Sequence, residues 1–307
     1  MRGLAEKGCA LLLSVLKTLE LLLVTPKFLL SGNPASYYEY LGDDVVEGER
    51  EGFVDPNKPL WLNLGYWETA RYYPDAAQAL ATLLAEAAAL GPSDELLDVG
   101  FGFAEQDLFW LNRYNVKRIT GVNITAMQVE RARKRVRDRQ LEDRIDLKVG
   151  SATELPFEAE SFDKVTALEC AHHFDTREQF FKEAFRVLRP GGRLALADGL
   201  PFPGRKPLNF VNKISLRRWC YPLANHYDRD EYKKKLLSVG FSNVSYRSIR
   251  NYVFPACLRY NEMRRQGRSM KEAIVEITPE EVEQCAGIEK WDITGVTDYV
   301  IFTAVKS

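Results

Sequence analysis

The sequence predicts a doubly wound α/β fold: a seven-stranded, mostly parallel sheet with helices on both faces and an antiparallel last strand. Three observations carry this. Short apolar runs at 95–99, 118–122, 145–149, 162–168 and 193–197 read as buried strands. Helical patterns of ten to fifteen residues separate most of them, as crossover connections in a parallel sheet require. The first strand runs into Gly100-Phe-Gly102-Phe-Ala104, a small-residue turn followed by a helix over 105–114. Such a strand, turn and helix form the first half of a nucleotide-binding unit, in which glycine lets the backbone approach a ligand with no Cβ in the way.

The remaining elements follow from local signals. The spacing predicts helices over 76–90, stopped by Gly91-Pro92, and from Ala126 through the basic stretch 131–139, with Thr125 and Gln128 forming a capping box. Thr176 opens a helix to 188 in the same way, and 189–192 (Arg-Pro-Gly-Gly) is a tight turn. Helices at 213–221 and 229–239 precede a strand at 244–249, and the apolar run 298–305 pairs antiparallel with it. In an open parallel sheet, ligands bind beyond the carboxyl ends of the strands. Those ends carry Gly100, Gly102, Asn123, Ser151, Glu169, His172 and Asp198.

Residues 1–30 read as an amphipathic amino-terminal helix. Leu11, Leu12, Val15, Leu16, Leu19, Leu22 and Leu23 share an arc of roughly 140° at helical spacing. Spanning a bilayer takes about 20 mostly apolar residues, and Lys17 and Glu20 interrupt this stretch. Lys17 also argues against a signal peptide. The helix either docks on its own domain or on a second copy in a homo-oligomer, or lies on a membrane through residues 4–25, or forms the mouth of an apolar substrate pocket. Liposome flotation with and without residues 1–30 separates these readings, and equal flotation removes the membrane. Residues 31–75 are aromatic-rich and read as an amino-terminal cap, with Tyr66 among the aromatics that suit a ligand cover. Residues 76–307 form the main domain, with a lid insertion at about 201–290.

Composition narrows the function. A net charge of −1 over 307 residues offers no general attraction for nucleic acid. The five cysteines are odd in number, scattered and without C-x-x-C spacing, which favours reduced thiols in the cytoplasm over a disulfide framework or a zinc site. Only three histidines, His172, His173 and His226, are available for histidine chemistry.

Five segments in order, LNLGYW at 62–67, LLDVGFGFA at 96–104, GSATELPF at 150–157, FDKVTALECAHHF at 162–174 and RVLRPGGRLALAD at 186–198, resemble the class I S-adenosylmethionine-dependent methyltransferases, a Rossmann-like fold. The resemblance is strong over about 60–200. It is closest to the small-molecule subgroup, natural-product sugar O-methyltransferases and sterol or tocopherol C-methyltransferases. It implies S-adenosylmethionine as cofactor. Gly100 and Gly102 would lie against its methionine part, Asp98 would hold its ammonium, and Tyr66 would be a further contact to the cofactor. Asn123, Ile124 and Gln128 would meet the ribose and base, with Ser151, Ala152 and Glu169 completing the site. The family usually has an acidic residue where Asn123 stands and often an Asp where Ser151 stands, which puts affinity in question rather than the identity of the cofactor. An NAD(P) site would instead need G-x-G-x-x-G and an acidic residue after the second strand, and neither is present.

The resemblance implies His172 as general base with Asp198 orienting it, since imidazole titrates near neutrality. His173, Trp219 and the runner-up base His226 would contact the acceptor. The aromatic lid and the apolar amino-terminal helix suggest a lipophilic small molecule such as a natural product, terpenoid or lipid. C-methylation of an isoprenoid alkene, with Glu169 and aromatic faces stabilising a cation, is a second reading. A catalytically weak membrane-associated scaffold is a third.

Overall fold

The computed structural model describes residues 59–204, 208, 210–265, 275, 278 and 298–307. The amino-terminal helix, most of the aromatic cap and much of the lid lie outside the described residues.

The chain forms α1 (Tyr73–Ala88), β1 (Glu95–Val99), α2 (Glu105–Tyr114), β2 (Arg118–Asn123), α3 (Ala126–Asp138), β3 (Ile145–Val149) and β4 (Phe162–Leu168). It continues through α4 (Arg177–Val187), β5 (Leu188–Leu200), α5 (Phe210–Arg218), α6 (Arg229–Val239), β6 (Phe241–Ser248), α7 (Phe254–Arg265) and β7 (Asp298–Lys306). The seven strands stand in the order β3-β2-β1-β4-β5-β7-β6. β1 to β5 pair in parallel, and β7 runs antiparallel between β5 and β6. The expected doubly wound sheet is therefore the observed one.

Successive strand residues feed opposite cores. Leu96, Ile119, Ala195, Ala197, Tyr299 and Ile301 pack under α1, α2 and α3. Leu97, Val122, Leu194, Leu196, Val300 and Phe302 pack with Phe180, Phe181, Tyr232 and Leu236 of α4 and α6. Both faces are covered, which is why the strands read as continuous apolar runs rather than alternating ones.

Several boundaries differ from the sequence expectation for local reasons. α1 begins at Tyr73 because Pro74 is tolerated in a first turn, and it ends before Gly91 because Ala89 adopts φ 52° and closes the helix onto Ala85 and Glu86. α3 starts at Ala126 as expected, but the capping box does not form. The Thr125 hydroxyl is buried without a partner, and Gln128 bonds Asn123 instead. At α4 the cap does form, Thr176 accepting from the Gln179 amide. β5 extends back to Leu188 across a bulge at 189–192, where the register against β4 jumps from Phe162–Leu188 to Lys164–Arg193. Gly240, at φ 117°, ends α6 and turns directly into β6, three residues earlier than expected. No helix among the described residues is long and apolar enough to cross a membrane.

The antiparallel end of the sheet depends on Phe302. It is fully buried on β7, stacked on Tyr232 at 4.2 Å and tilted against Tyr246 at 5.5 Å. Phe302→Ala should lower unfolding stability by about 3–5 kcal/mol, read as a drop in urea midpoint at constant slope.

Candidate functional site

The carboxyl ends of β1, β2 and β4 open into a cavity of about 1210 Å³. Its floor is the glycine turn, Asn123, Ile124, the segment 150–153, Glu169, Cys170 and both adjacent histidines. Its cover comes from Leu60, Leu62, Asn63, Leu64, α5, residues 219–223, Arg250, α7 and Tyr299.

The glycine turn is tightly constrained. Gly100 has φ +75°, and a Cβ there would lie 2.6 Å from the Cys170 side chain. Gly102 has φ +59°, with the Leu62 side chain 2.9 Å from where its Cβ would be. Any larger residue would be strained by conformation and by contact. The Gly100 amide donates to Val122 O at 2.7 Å, tying the turn to the end of β2.

At that end, Asn123 donates to Gln128 Oε1 at 2.8 Å, with a longer contact to Gly102 O at 3.4 Å. Two buried amides thus occupy the position where a carboxylate is usual, and both line the cavity. Ser151 is engaged locally with Thr153, its Oγ accepting from the Thr153 amide at 3.2 Å, and Ala152 is buried beside it.

Asp98 does not reach the cavity wall. It is fully buried beneath the turn, where Thr166 donates to Oδ1 at 2.6 Å and Gln106 donates to Oδ2 at 3.0 Å. Gln106 does line the cavity, so it stands between Asp98 and any ligand. Asp107 is buried nearby, and neither of its oxygens meets a donor. Burial and the adjacent Asp98 push its carboxyl well up. Burial raises Asp98 also, against the hydrogen bonds from Thr166 and Gln106.

The second cluster centres on Asp198 at the end of β5. His172 Nδ1 lies 3.0 Å from Asp198 Oδ1, and Arg177 Nε donates to Oδ2 at 2.8 Å. Burial alone would raise Asp198, but Arg177 and His172 hold it below the ordinary carboxylate range. Arg177 is itself fully buried and sits over the rings of Tyr221, Tyr227 and Tyr232 at 5.2–5.4 Å. It also donates to Gly199 O, at 2.9 Å, and to Asn225 O. Asn225 in turn donates to Phe174 O at 2.6 Å and to His172 O at 3.2 Å, fastening the cover to the end of β4.

The sequence-predicted residues therefore separate. Gly100, Gly102, Asn123, Ile124, Gln128, Ser151, Ala152, Glu169, His172, His173 and Trp219 line the cavity together. Asp198 touches it only through His172. His173 is buried and bonded to Cys220 O at 3.1 Å, and burial with the neighbouring His172 holds it neutral. Tyr66 and His226 stand off the wall. The Tyr66 hydroxyl donates to Glu68, and the His226 ring meets Tyr221 edge-on. Arg177, Asn225 and Gln106 were missed. Arg177 had a signal: a cation in a helix's first turn opposes the helix dipole and needs a local anion to explain it. Asn225 had none.

Residues 97–196 match the family described as a methyltransferase domain. The chain is 40% identical over 244 residues to erythromycin 3''-O-methyltransferase of Saccharopolyspora erythraea, covering 77% of each protein. It is 33% identical over 231 residues to 27-O-demethylrifamycin SV methyltransferase of Amycolatopsis mediterranei, covering 73% of this chain and 84% of that one. Its fold is similar to that of geranyl diphosphate C-methyltransferase from Streptomyces coelicolor A3(2), with TM-score 0.62, 20% identity, and coverage of 82% of this chain and 95% of the other.

Buried acids at the site give the protein a pH signature. Burial raises Glu169 to about 8, and Asp98 is raised as well. Both bind protons in the folded chain that the unfolded chain has released, so stability falls as pH rises through this range. His173, held neutral, acts in the opposite sense and only near or below its ordinary value of 6.5. Urea unfolding should show about 1–2 kcal/mol less stability at pH 8 than at pH 6.5.

Proposed function

The chain belongs to the class I S-adenosylmethionine-dependent methyltransferases, and on that premise we propose that it O-methylates a lipophilic natural product with His172 as general base. The observation that carries the reading is the His172–Asp198 contact at the wall of the cavity. Nδ1 is engaged by Asp198, which leaves Nε2 as the ring nitrogen available for a hydroxyl proton. The acceptor oxygen loses its proton to that nitrogen as it attacks, and Asp198, anchored by Arg177, holds the imidazolium in place.

The cavity suits the cofactor. Gly100 and Gly102 leave a surface that a Cβ would fill. They would take the methionine part, Asn123 and Gln128 the ribose, and Ile124, Ser151 and Ala152 the base. When bound, the sulfonium supplies an electrophilic methyl group. The chain's own contribution is alignment, exclusion of water and acceptance of the proton.

The acceptor class rests on the cavity's outer wall and on the relatives. Ile124, Ile214, Trp219, Leu223 and Leu258 line the cavity and are each 40–52% exposed. That much exposed apolar side chain around one opening suits a ligand with a large apolar body. The relatives named for erythromycin and 27-O-demethylrifamycin SV support a natural-product acceptor with a free hydroxyl. C-methylation is the second reading, favoured by Glu169, Tyr299 and Phe254 facing the same cavity. Carbon-13 NMR of the methylated product separates an O–CH3 from a C–CH3 group.

His172→Ala should reduce turnover by about a hundredfold or more while S-adenosylhomocysteine binding stays within a few-fold. A small loss of rate would mean that His172 only packs. Gly100→Ala should weaken S-adenosylhomocysteine binding by about tenfold or more in calorimetric titration, because the added carbon collides with Cys170.

A further inference from the structure

Lys213 and Arg217 take no part in the chemistry described so far. They stand four residues apart on α5, so they share one helix face, and both line the cavity beside Ile214. Both side chains are exposed, and neither makes a hydrogen bond or ion pair among the described residues. The helix sequence, FVNKISLRR, holds no acidic residue to offset them. Like charges at this spacing destabilise a helix, and Lys213, in the first turn, also opposes the helix dipole. An anion at this face would relieve both. The other charged side chains on the cavity wall do not supply it. Glu169 accepts from Tyr299 and from the Leu64 amide, Asp175 is exposed and pairs with neither cation, and Arg250 lies over the Phe202 ring at 4.9 Å.

We propose that the acceptor carries an anionic oxygen group, a carboxylate, sulfate or phosphate, and that Lys213 and Arg217 bind it at the outer wall of the cavity. The inference rests on the reading of that wall as the acceptor's. Its geometry ties the two cations to the base. The end of α5 turns straight into Tyr221, whose amide donates to Leu216 O at 2.9 Å, and the Tyr221 ring lies 5.8 Å from the His172 ring. Arg217 and Lys213 therefore stand about one and two helical turns, roughly 5–11 Å, from the ring beside the proton acceptor. An acceptor that places its hydroxyl at His172 and its anionic group that far away spans the apolar wall of Ile214 and Trp219 between them. The guanidinium fork and the ammonium both form charge-assisted hydrogen bonds to such oxygens. Because both cations are exposed, the apolar body supplies most of the affinity and the charges supply the discrimination.

The test is fluorescence titration of the full chain, with S-adenosylhomocysteine present, using two probes of one shape. Anilinonaphthalene sulfonate has an apolar body and an anionic group, and phenylnaphthylamine is the same body without the charge. Replacing both cations, Lys213→Gln with Arg217→Gln, should weaken the sulfonate by about tenfold and leave the neutral probe within about twofold. Charge reversal, Lys213→Glu with Arg217→Glu, should weaken the sulfonate further and again spare the neutral probe. Added potassium chloride should weaken the sulfonate on the wild-type chain and lose that effect in the Gln variant. Binding of S-adenosylhomocysteine, measured separately by calorimetry, should stay within a few-fold in every variant, which also shows that the variants fold. Equal losses for the two probes, no loss for the sulfonate, or no sulfonate binding at all would overturn the inference while leaving the cofactor assignment intact. Failure of the wild-type chain to bind S-adenosylhomocysteine would instead overturn the methyl-donor reading, and this inference with it.

Discussion

The buried ion pair between Arg177 and Asp198 is the constraint on which the His172 end of the cavity depends. Both side chains are fully removed from water, so each needs the other and every remaining hydrogen bond. Arg177 meets that need with Asp198, Gly199 O, Asn225 O and three tyrosine faces. Those partners come from β5, from the segment before α6 and from α6 itself. A single guanidinium therefore joins the sheet, a helix start and the cover. His172 inherits its orientation from this arrangement, because the oxygen it meets belongs to the carboxylate that Arg177 holds.

The cavity has two chemically different ends. At the glycine turn, small residues and backbone leave room, and the polar partners are the neutral amides of Asn123, Gln128 and Gln106. Carboxyls lie behind or beside them: Asp98 and Asp107 beneath the turn, Glu169 at the wall. Burial pushes all three acids up from the ordinary carboxylate range, and a low-dielectric surround makes them sensitive to any positive charge that arrives. At the other end, Ile214, Trp219, Leu223 and Leu258 make an apolar wall. Under the proposed reading, the glycine end would take the compact charged ligand and the apolar wall the bulky one.

Much of the fold was legible in the chain because its strands are buried on both faces. β3, β4, α2 and α6 have the predicted ends. The exceptions have different causes, one a partner elsewhere and one the helix's own end. Thr125 and Gln128 have the capping-box pattern, yet Gln128 bonds Asn123 across the turn and the cap is lost. Gly91-Pro92 marks a stop, yet Ala89 ends the helix first. In the site, most of the residues that line the cavity were named from strand ends, which face beyond the sheet, while Gln128 came from the following helix and Trp219 from the lid. Tyr66, Asp98 and His226 stand off the wall because motif position does not determine side-chain direction.

The sequence by itself determined the strand order's raw material, the glycine turn and the pair of histidines after β4, since each depends on spacing of a few residues and on backbone conformation. It also carried the resemblance to methyltransferases, borne by motifs within one continuous stretch. Only the tertiary structure decided that Asp198 is shared between His172 and Arg177, that Asn225 fastens the cover, and that Tyr299 supports Glu169. Those contacts join residues 21 to 130 positions apart. Burial and mutual proximity, which set their charge states and hence their chemistry, exist only once the sheet has brought the strand ends together.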